Sequence, residues 1–229
     1  MAARSYGQYC GVVRALELVG ERWALLIVRD LLVGPRRYSD LKSGLSRIPT
    51  NILSDRLKDL QAAGLVHRVP VARCGLVYEL TPYGRELEDV ILALGRWGFK
   101  AMTGPREGEE VTADSLTMAL RTAFDPAASR RVPATVFTLH VGDVTLVARS
   151  DAGRLDVVAP SRGPVPVATP MGDGDRLEFA AAPGIRDLIA GTVTPADAVA
   201  SGAAEVLDGD VRLLERFAAL FHLDAAVAA

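Results

Sequence analysis

The chain has 229 residues, 49% of them hydrophobic and 24% charged, with a formal net charge of -2. This is a globular composition and enough length for two modest domains, while two cysteines exclude a disulfide framework. The charge is uneven: residues 1–104 hold 15 Lys and Arg against 10 Asp and Glu, or +5, and residues 105–229 hold 11 against 18, or -7. A cationic front half and an anionic rear half suit a phosphate-binding module joined to a separate domain, since only the first must neutralise nucleic acid.

In chain order, Val12, Val13, Leu16 and Val19 give the first helix an apolar face. The run from Gly20 to Pro35 is apolar nearly all round and closed by Gly34-Pro35, which predicts a buried central helix. Ser39 to Leu45 predicts a helix of about two turns, with Ser39 as its cap and Gly44 as its stop. The stretch Pro49 to Val66 is the most informative. Leu53, Leu57, Leu60 and Gly64 fall on one line at three- and four-residue steps, with Asn51, Ser54, Asp55 and Lys58 opposite. An unpartnered bundle helix would share the apolar stripe but would usually carry longer Lys and Glu on its far side. Short donors and acceptors near the start suit a helix pushed end-on against base edges in a major groove. Long helix, short helix, recognition helix is the helix-turn-helix order.

After Gly64 the period changes. Leu65 to Val71 and Leu76 to Leu80, joined through Ala72-Arg73-Cys74-Gly75, predict a hairpin directly behind the recognition helix, a wing. Arg68 and Arg73 would meet phosphate or the minor groove there, unless they are ordinary solvated arginines. Thr81-Pro82 opens the next helix with a Thr cap and Pro at the first helical position. Its stripe of Leu87, Val90, Ile91, Leu94, Trp97 and Ala101 is more apolar face than so small a module covers, so it and the first helix predict a homodimer surface.

Residues 104–111 are polar, acidic and punctuated by Gly and Pro, which marks a linker between domains at 1–103 and 112–229. Beyond it the pattern is α+β: a helix through Leu116, Leu120 and Phe124 opened by Asp114 or Ser115, strands at 134–141 and 144–149 around Gly142-Asp143, and strands at 155–158 and 176–180. Pro160 to Pro170 has too many prolines for a central strand and reads as a loop. Helices at 185–190 and 195–200, a short strand at 204–207 and a helix at 210–221 complete it.

With these motifs assembled, residues 6–101 resemble the HxlR family of winged helix-turn-helix regulators. The likeness rests on Tyr9-Cys10, Leu18-Val19-Gly20-Glu21-Arg22-Trp23, Gly34-Pro35-Arg36-Arg37-Tyr38-Ser39-Asp40-Leu41, Ile48 to Leu57 and Tyr78-Glu79-Leu80-Thr81-Pro82-Tyr83-Gly84, in that order. Many members have Pro where this chain has Gly11, and many begin the recognition helix Ser-Pro where it has Pro49-Thr50, which gives Thr50 the capping role. The resemblance implies a dimer, joined through its terminal helices, on an inverted repeat near a promoter. On that reading Thr50, Asn51 and Ser54 meet bases, and Arg36, Arg37, Ser39, Arg47, Arg56, Lys58, Arg68 and Arg73 meet the backbone of double-stranded DNA.

Residues 112–224 are similar, more loosely, to the sterol-carrier-protein fold, through Asp187 to Gly191, Pro195 to Ala198, Gly202 to Asp210, Leu213-Leu214 and Phe217 to Phe221. That likeness implies an antiparallel sheet covered by helices, and an apolar tunnel with Phe124, Phe137, Leu139, Leu146, Phe179 and Leu188 as candidate lining. The same residues serve equally as plain core, with the domain kept for dimerisation or spacing.

Cys10 stands where several HxlR relatives carry a cysteine resembling a thiol switch, and a helix N-terminus with Arg4 or Arg14 nearby would favour its thiolate. A small buried hydrophobe at a dimer seam is the simpler alternative, and Cys74 is expected to be exposed and incidental. His67, His140 and His222 are scattered, no Gly-rich phosphate loop follows a strand, and Glu109-Glu110 lies in the linker, so neither enzyme, metal nor cofactor is expected. With no run long enough for a signal peptide or membrane span, a cytoplasmic protein is expected. The expectation is therefore a multidomain chain, mainly α in front and α+β behind, acting as a homodimeric DNA-binding repressor with an apolar effector site. A lipid or small-molecule carrier, its winged helix serving as a protein-contact module, is the alternative from another class.

Overall fold

A computed structural model describes residues 5–71, 75–160, 174–181 and 184–225, which form two compact units dividing between Ile91 and Leu92. The first holds α1 (Gly11–Val19), α2 (Ala24–Val33), α3 (Tyr38–Gly44), α4 (Thr50–Ala62), the antiparallel pair β1 (Val66–Val71) and β2 (Gly75–Leu80), α5 (Pro82–Arg85) and the start of α6 (Glu88–Phe99). Ile27, Val28 and Leu31 of α2 and Leu53, Leu57 and Leu60 of α4 are all buried in its core, so the stripe read from spacing is the face that packs. Helix α4 ends as its sequence requires. Gly64 takes φ +71°, its N–H bonds the Gln61 carbonyl at 3.0 Å, and the Leu65 N–H reaches back to Leu60 at 2.9 Å, a Schellman closure.

Expectations at α3 and after Thr81 change in this unit. Ser39 does not cap α3: Arg37 precedes the helix and its N–H is held by the Asp40 carboxylate at 2.9 Å, which leaves Ser39 exposed in the first turn. The helix opened by Thr81 stops after one turn and resumes as α6. Thr81 caps as expected, its Oγ1 accepting from the Gly84 N–H at 3.0 Å. Gly84 is required by close approach, because a Cβ there would lie 2.1 Å from the Leu65 carbonyl oxygen.

The second unit comprises α7 (Ala113–Ala123), α8 (Pro126–Ser129), β3 (Thr135–Val141), β4 (Val144–Asp151), β5 (Arg154–Val158), β6 (Asp175–Ala181), α9 (Ile185–Ala190), α10 (Pro195–Ala200), β7 (Ala204–Gly209) and α11 (Leu213–Leu220). Thr112 rather than Asp114 or Ser115 opens α7, through a reciprocal box with Ser115 at 3.1 and 2.9 Å. The sheet runs β5-β4-β3-β6-β7, and the expected antiparallel sheet is in fact mixed because β6 lies parallel to β3. The expected loop at Pro160 to Pro170 lies, after Pro160, outside the described residues.

Helix α6 belongs to both units along its length, and the compact division falls inside it rather than at the expected linker. Phe99 joins the core of the second unit, and Gly95 lets α6 approach Thr122, whose side chain a Cβ would meet at 3.0 Å. Residues 104–111 carry neither helix nor strand and are all exposed. Among the described residues no helix is long and apolar enough to cross a membrane.

Candidate nucleic-acid interface

The exposed end of α4 is the focus of the first unit. Pro49 precedes the helix in extended conformation and supplies no side-chain cap, so Thr50 is the first helical residue rather than the cap expected of it. Pro49, Thr50 and Asn51 are all exposed, while Leu53, Leu57 and Leu60 on the opposite face are buried in the core. The result is a helix N-terminus, positive by its dipole, carrying free-standing hydroxyl and amide groups.

Ser54 is tied into the scaffold. Tyr38, the first residue of α3, donates from Oη to the Thr50 carbonyl at 2.8 Å and lies 3.1 Å from Ser54 Oγ. Tyr38 enters the sequence analysis only as part of the family motif, with no role assigned, because its contacts span 12 and 16 residues and exist only once α3 is laid against α4.

The cations divide. Lys58 is exposed, 77% at its side chain, with its Nζ 4.0 Å from Asp55. Arg47 is exposed in the turn between α3 and α4, and Arg37 is half-buried where α3 begins. Arg68 is exposed on β1, its guanidinium 5.4 Å over the ring of its cross-strand partner Tyr78. Arg36 and Arg56 do not occupy the positions expected of phosphate ligands. Arg36 is 6% exposed, pairs through its backbone with Tyr78 at 3.0 and 2.7 Å, and donates to the Pro35 carbonyl. Arg56 is 14% exposed, 2.8 Å from Asp59 and 3.8 Å from Glu21, so its charge is spent within the unit. Arg73 and Cys74, at the wing tip, lie outside the described residues.

Two other candidate sites differ from expectation in their surroundings. Cys10 is exposed at the N-terminus of α1, and its thiol is lowered in pKa by the backbone amides of Val13 and Val12. Arg14, one expected helper, bonds Glu17 at 2.8 Å, and Arg4 lies outside the described residues. In the second unit Phe137, Leu139, Leu146, Phe179 and Leu188 are almost wholly buried, and Phe124 packs partly buried against them. Phe137 and Phe179 meet Phe217 of α11 edge-on at 5.4 and 5.0 Å, and Phe124 meets Phe221, the residue after α11, at a 45° tilt and 5.8 Å. These rings interlock within the hydrophobic core of the second unit. The histidines make local bonds, His67 to Glu79 at 2.7 Å and His140 to Thr145 and Glu178 at 2.9 and 2.8 Å, while His222 is 3.6 Å from Asp224.

Comparison with known proteins bears on this interface. Residues 18–105 match the family model described as HxlR-like helix-turn-helix. An uncharacterized HTH-type transcriptional regulator of Mycobacterium tuberculosis is 45% identical over 96 residues, which cover 41% of this chain and 60% of that relative. The chain thus spans about 60% of the length of its mycobacterial relative. YvaP of Bacillus subtilis, also an uncharacterized HTH-type transcriptional regulator, is 33% identical over 86 residues, 37% of this chain and 80% of YvaP. The solved structure of the HTH-type regulator YtcD shares 33% identity over 39% of this chain and 93% of its own, with a TM-score of 0.37. Through its winged helix-turn-helix residues, the chain belongs to the HxlR-like helix-turn-helix family of transcriptional regulators.

Proposed function

We propose that the protein is a homodimeric repressor that binds an inverted repeat in double-stranded DNA, with one α4 N-terminus in each half-site. The carrying observation is the start of α4, where Thr50 and Asn51 stand exposed on an uncapped helix end whose far face is locked in the core. Thr50 and Asn51 read base edges, with Ser54 beside them. Arg37, Ser39, Arg47, Lys58, Arg68 and, on the wing tip, Arg73 meet phosphates. Arg36 and Arg56 support the scaffold instead. Val12 and Leu16 on α1 are exposed large apolar side chains, as are Val90, Leu94 and Trp97 on α6, and each of these faces is a candidate dimer contact. Anisotropy titrations with duplexes from the protein's own promoter region test this reading. Sequence-specific binding that weakens steeply with salt supports it, and equal binding of all duplexes rules it out.

The second unit we read as a sterol-carrier-like domain, a reading that its helix-covered five-stranded sheet supports. Its interlocked aromatic core favours a dimerisation or spacing role over an apolar effector tunnel or a lipid carrier. Native mass spectrometry of freshly purified protein decides: the bare mass fits the platform, and a retained apolar adduct fits the effector site.

Cys10 supports a second mode of regulation. Its exposure and the amides that favour its thiolate suit a thiol that responds to oxidants or electrophiles. Loss of operator binding on oxidant treatment, reversed by dithiothreitol and absent in Cys10→Ser, is the expected result; an unchanged response in Cys10→Ser removes this mode.

A further inference from the structure

We propose that Tyr38 is a positioning residue that fixes the proton of Ser54 and so restricts which base Ser54 accepts as a partner; the inference rests on the DNA-binding reading above. A tyrosine hydroxyl carries one proton and the Thr50 carbonyl carries none, so in the 2.8 Å contact Tyr38 donates and Thr50 accepts. With its proton spent, the Tyr38 oxygen can only accept in the 3.1 Å contact with Ser54, and Ser54 Oγ–H must donate. The chain of bonds therefore runs in one direction, Ser54 to Tyr38 to the Thr50 carbonyl.

What Ser54 retains is lone pairs. A free serine hydroxyl is promiscuous in the major groove, donating to guanine O6 and N7 or thymine O4 as readily as it accepts from an amino group. Held by Tyr38, it only accepts, and the groove offers it two donors, adenine N6 and cytosine N4. Ser54 is half-buried on the helix face of exposed Asn51, three residues along, so the two share one half-site. The same bonds tie the first turn of α4 to α3, where Pro49 provides no side-chain cap.

The test compares wild type, Tyr38→Phe, Ser54→Ala and Asn51→Ala on a panel of duplexes in which each half-site base pair is replaced in turn, at several salt concentrations. In wild type one pair, identified by loss of its preference in Ser54→Ala, favours adenine or cytosine over guanine or thymine about tenfold. Tyr38→Phe, which keeps the ring and removes only the hydroxyl, reduces that preference to about twofold or less. It leaves the pair read by Asn51 and the salt slope as in wild type. A Tyr38→Phe protein that keeps the full preference overturns the proposal, as does a Ser54→Ala protein that alters no pair. Uniform weakening on every duplex also overturns it, because the hydroxyl would then only hold the fold, and a melting curve of each variant reports that directly. Failure of wild type to distinguish any duplex defeats the regulator reading itself, a result separate from all of these.

Discussion

Asn51 and Arg36, two polar residues of one module, differ in burial, and the proposed function assigns them different roles on that ground. Asn51 is exposed at the start of α4, and Asn51→Ala is expected to lose about 1–3 kcal/mol of sequence discrimination while nonspecific binding holds, by anisotropy on operator and scrambled duplexes. Arg36 is drawn into the core, so Arg36→Ala is expected to destabilise folding by about 1–3 kcal/mol in urea titration and to leave the salt slope alone. Lys58→Ala should do the opposite, flattening the salt slope by about one unit with stability unchanged. The difference between Arg36 and Lys58 is invisible in the sequence. A long cation reads the same whether its backbone is pinned to a wing strand or left on a helix face, and the bridge to Tyr78 that decides it spans 42 residue positions of chain that spacing does not connect.

At the scale of elements, periodic segments were legible and close contacts were not. The stripe of Leu53, Leu57 and Leu60 with its closing Gly64 needed only helix geometry to be read, and the hairpin at Gly142-Asp143 needed only two strand-like runs around a glycine, which takes φ +56°. Caps were harder, because Ser39, Thr50 and Ser115 each have a side chain able to cap; the neighbouring backbone left those positions to Arg37, Pro49 and Thr112. The parallel placement of β6 was not legible, because strand periodicity in the sequence carries no direction of pairing. Helix α6 carries two faces, the exposed stripe through Val90, Leu94 and Trp97, and a line of Gly95 and Phe99 that packs within the second unit, to which both belong. Helix α1 yields a further prediction. Because amides of Val13 and Val12 favour the Cys10 thiolate, alkylation of Cys10 should rise with a midpoint below the ordinary thiol range, and a midpoint in or above that range would show that these amides do not act on it.

For the whole molecule, the two halves separate in charge. The winged helix-turn-helix residues lie in the cationic half, and α1 and α6 each expose large apolar side chains; on the proposed reading a two-fold partner covers them and supplies two α4 ends for two half-sites. Trp97→Glu, placing a charge on a side chain 75% exposed in the single chain, is expected to shift the protein to monomer in light scattering and to lower operator affinity with it; an intact dimer would remove α6 from the contact. The most direct test of the account is anisotropy of wild type and Asn51→Ala on the protein's own promoter duplex and a scrambled duplex, across salt. The account predicts specific, salt-steep binding by wild type and, in Asn51→Ala, convergence of the two duplexes at the nonspecific level; indistinguishable curves for the two proteins on both duplexes would contradict it.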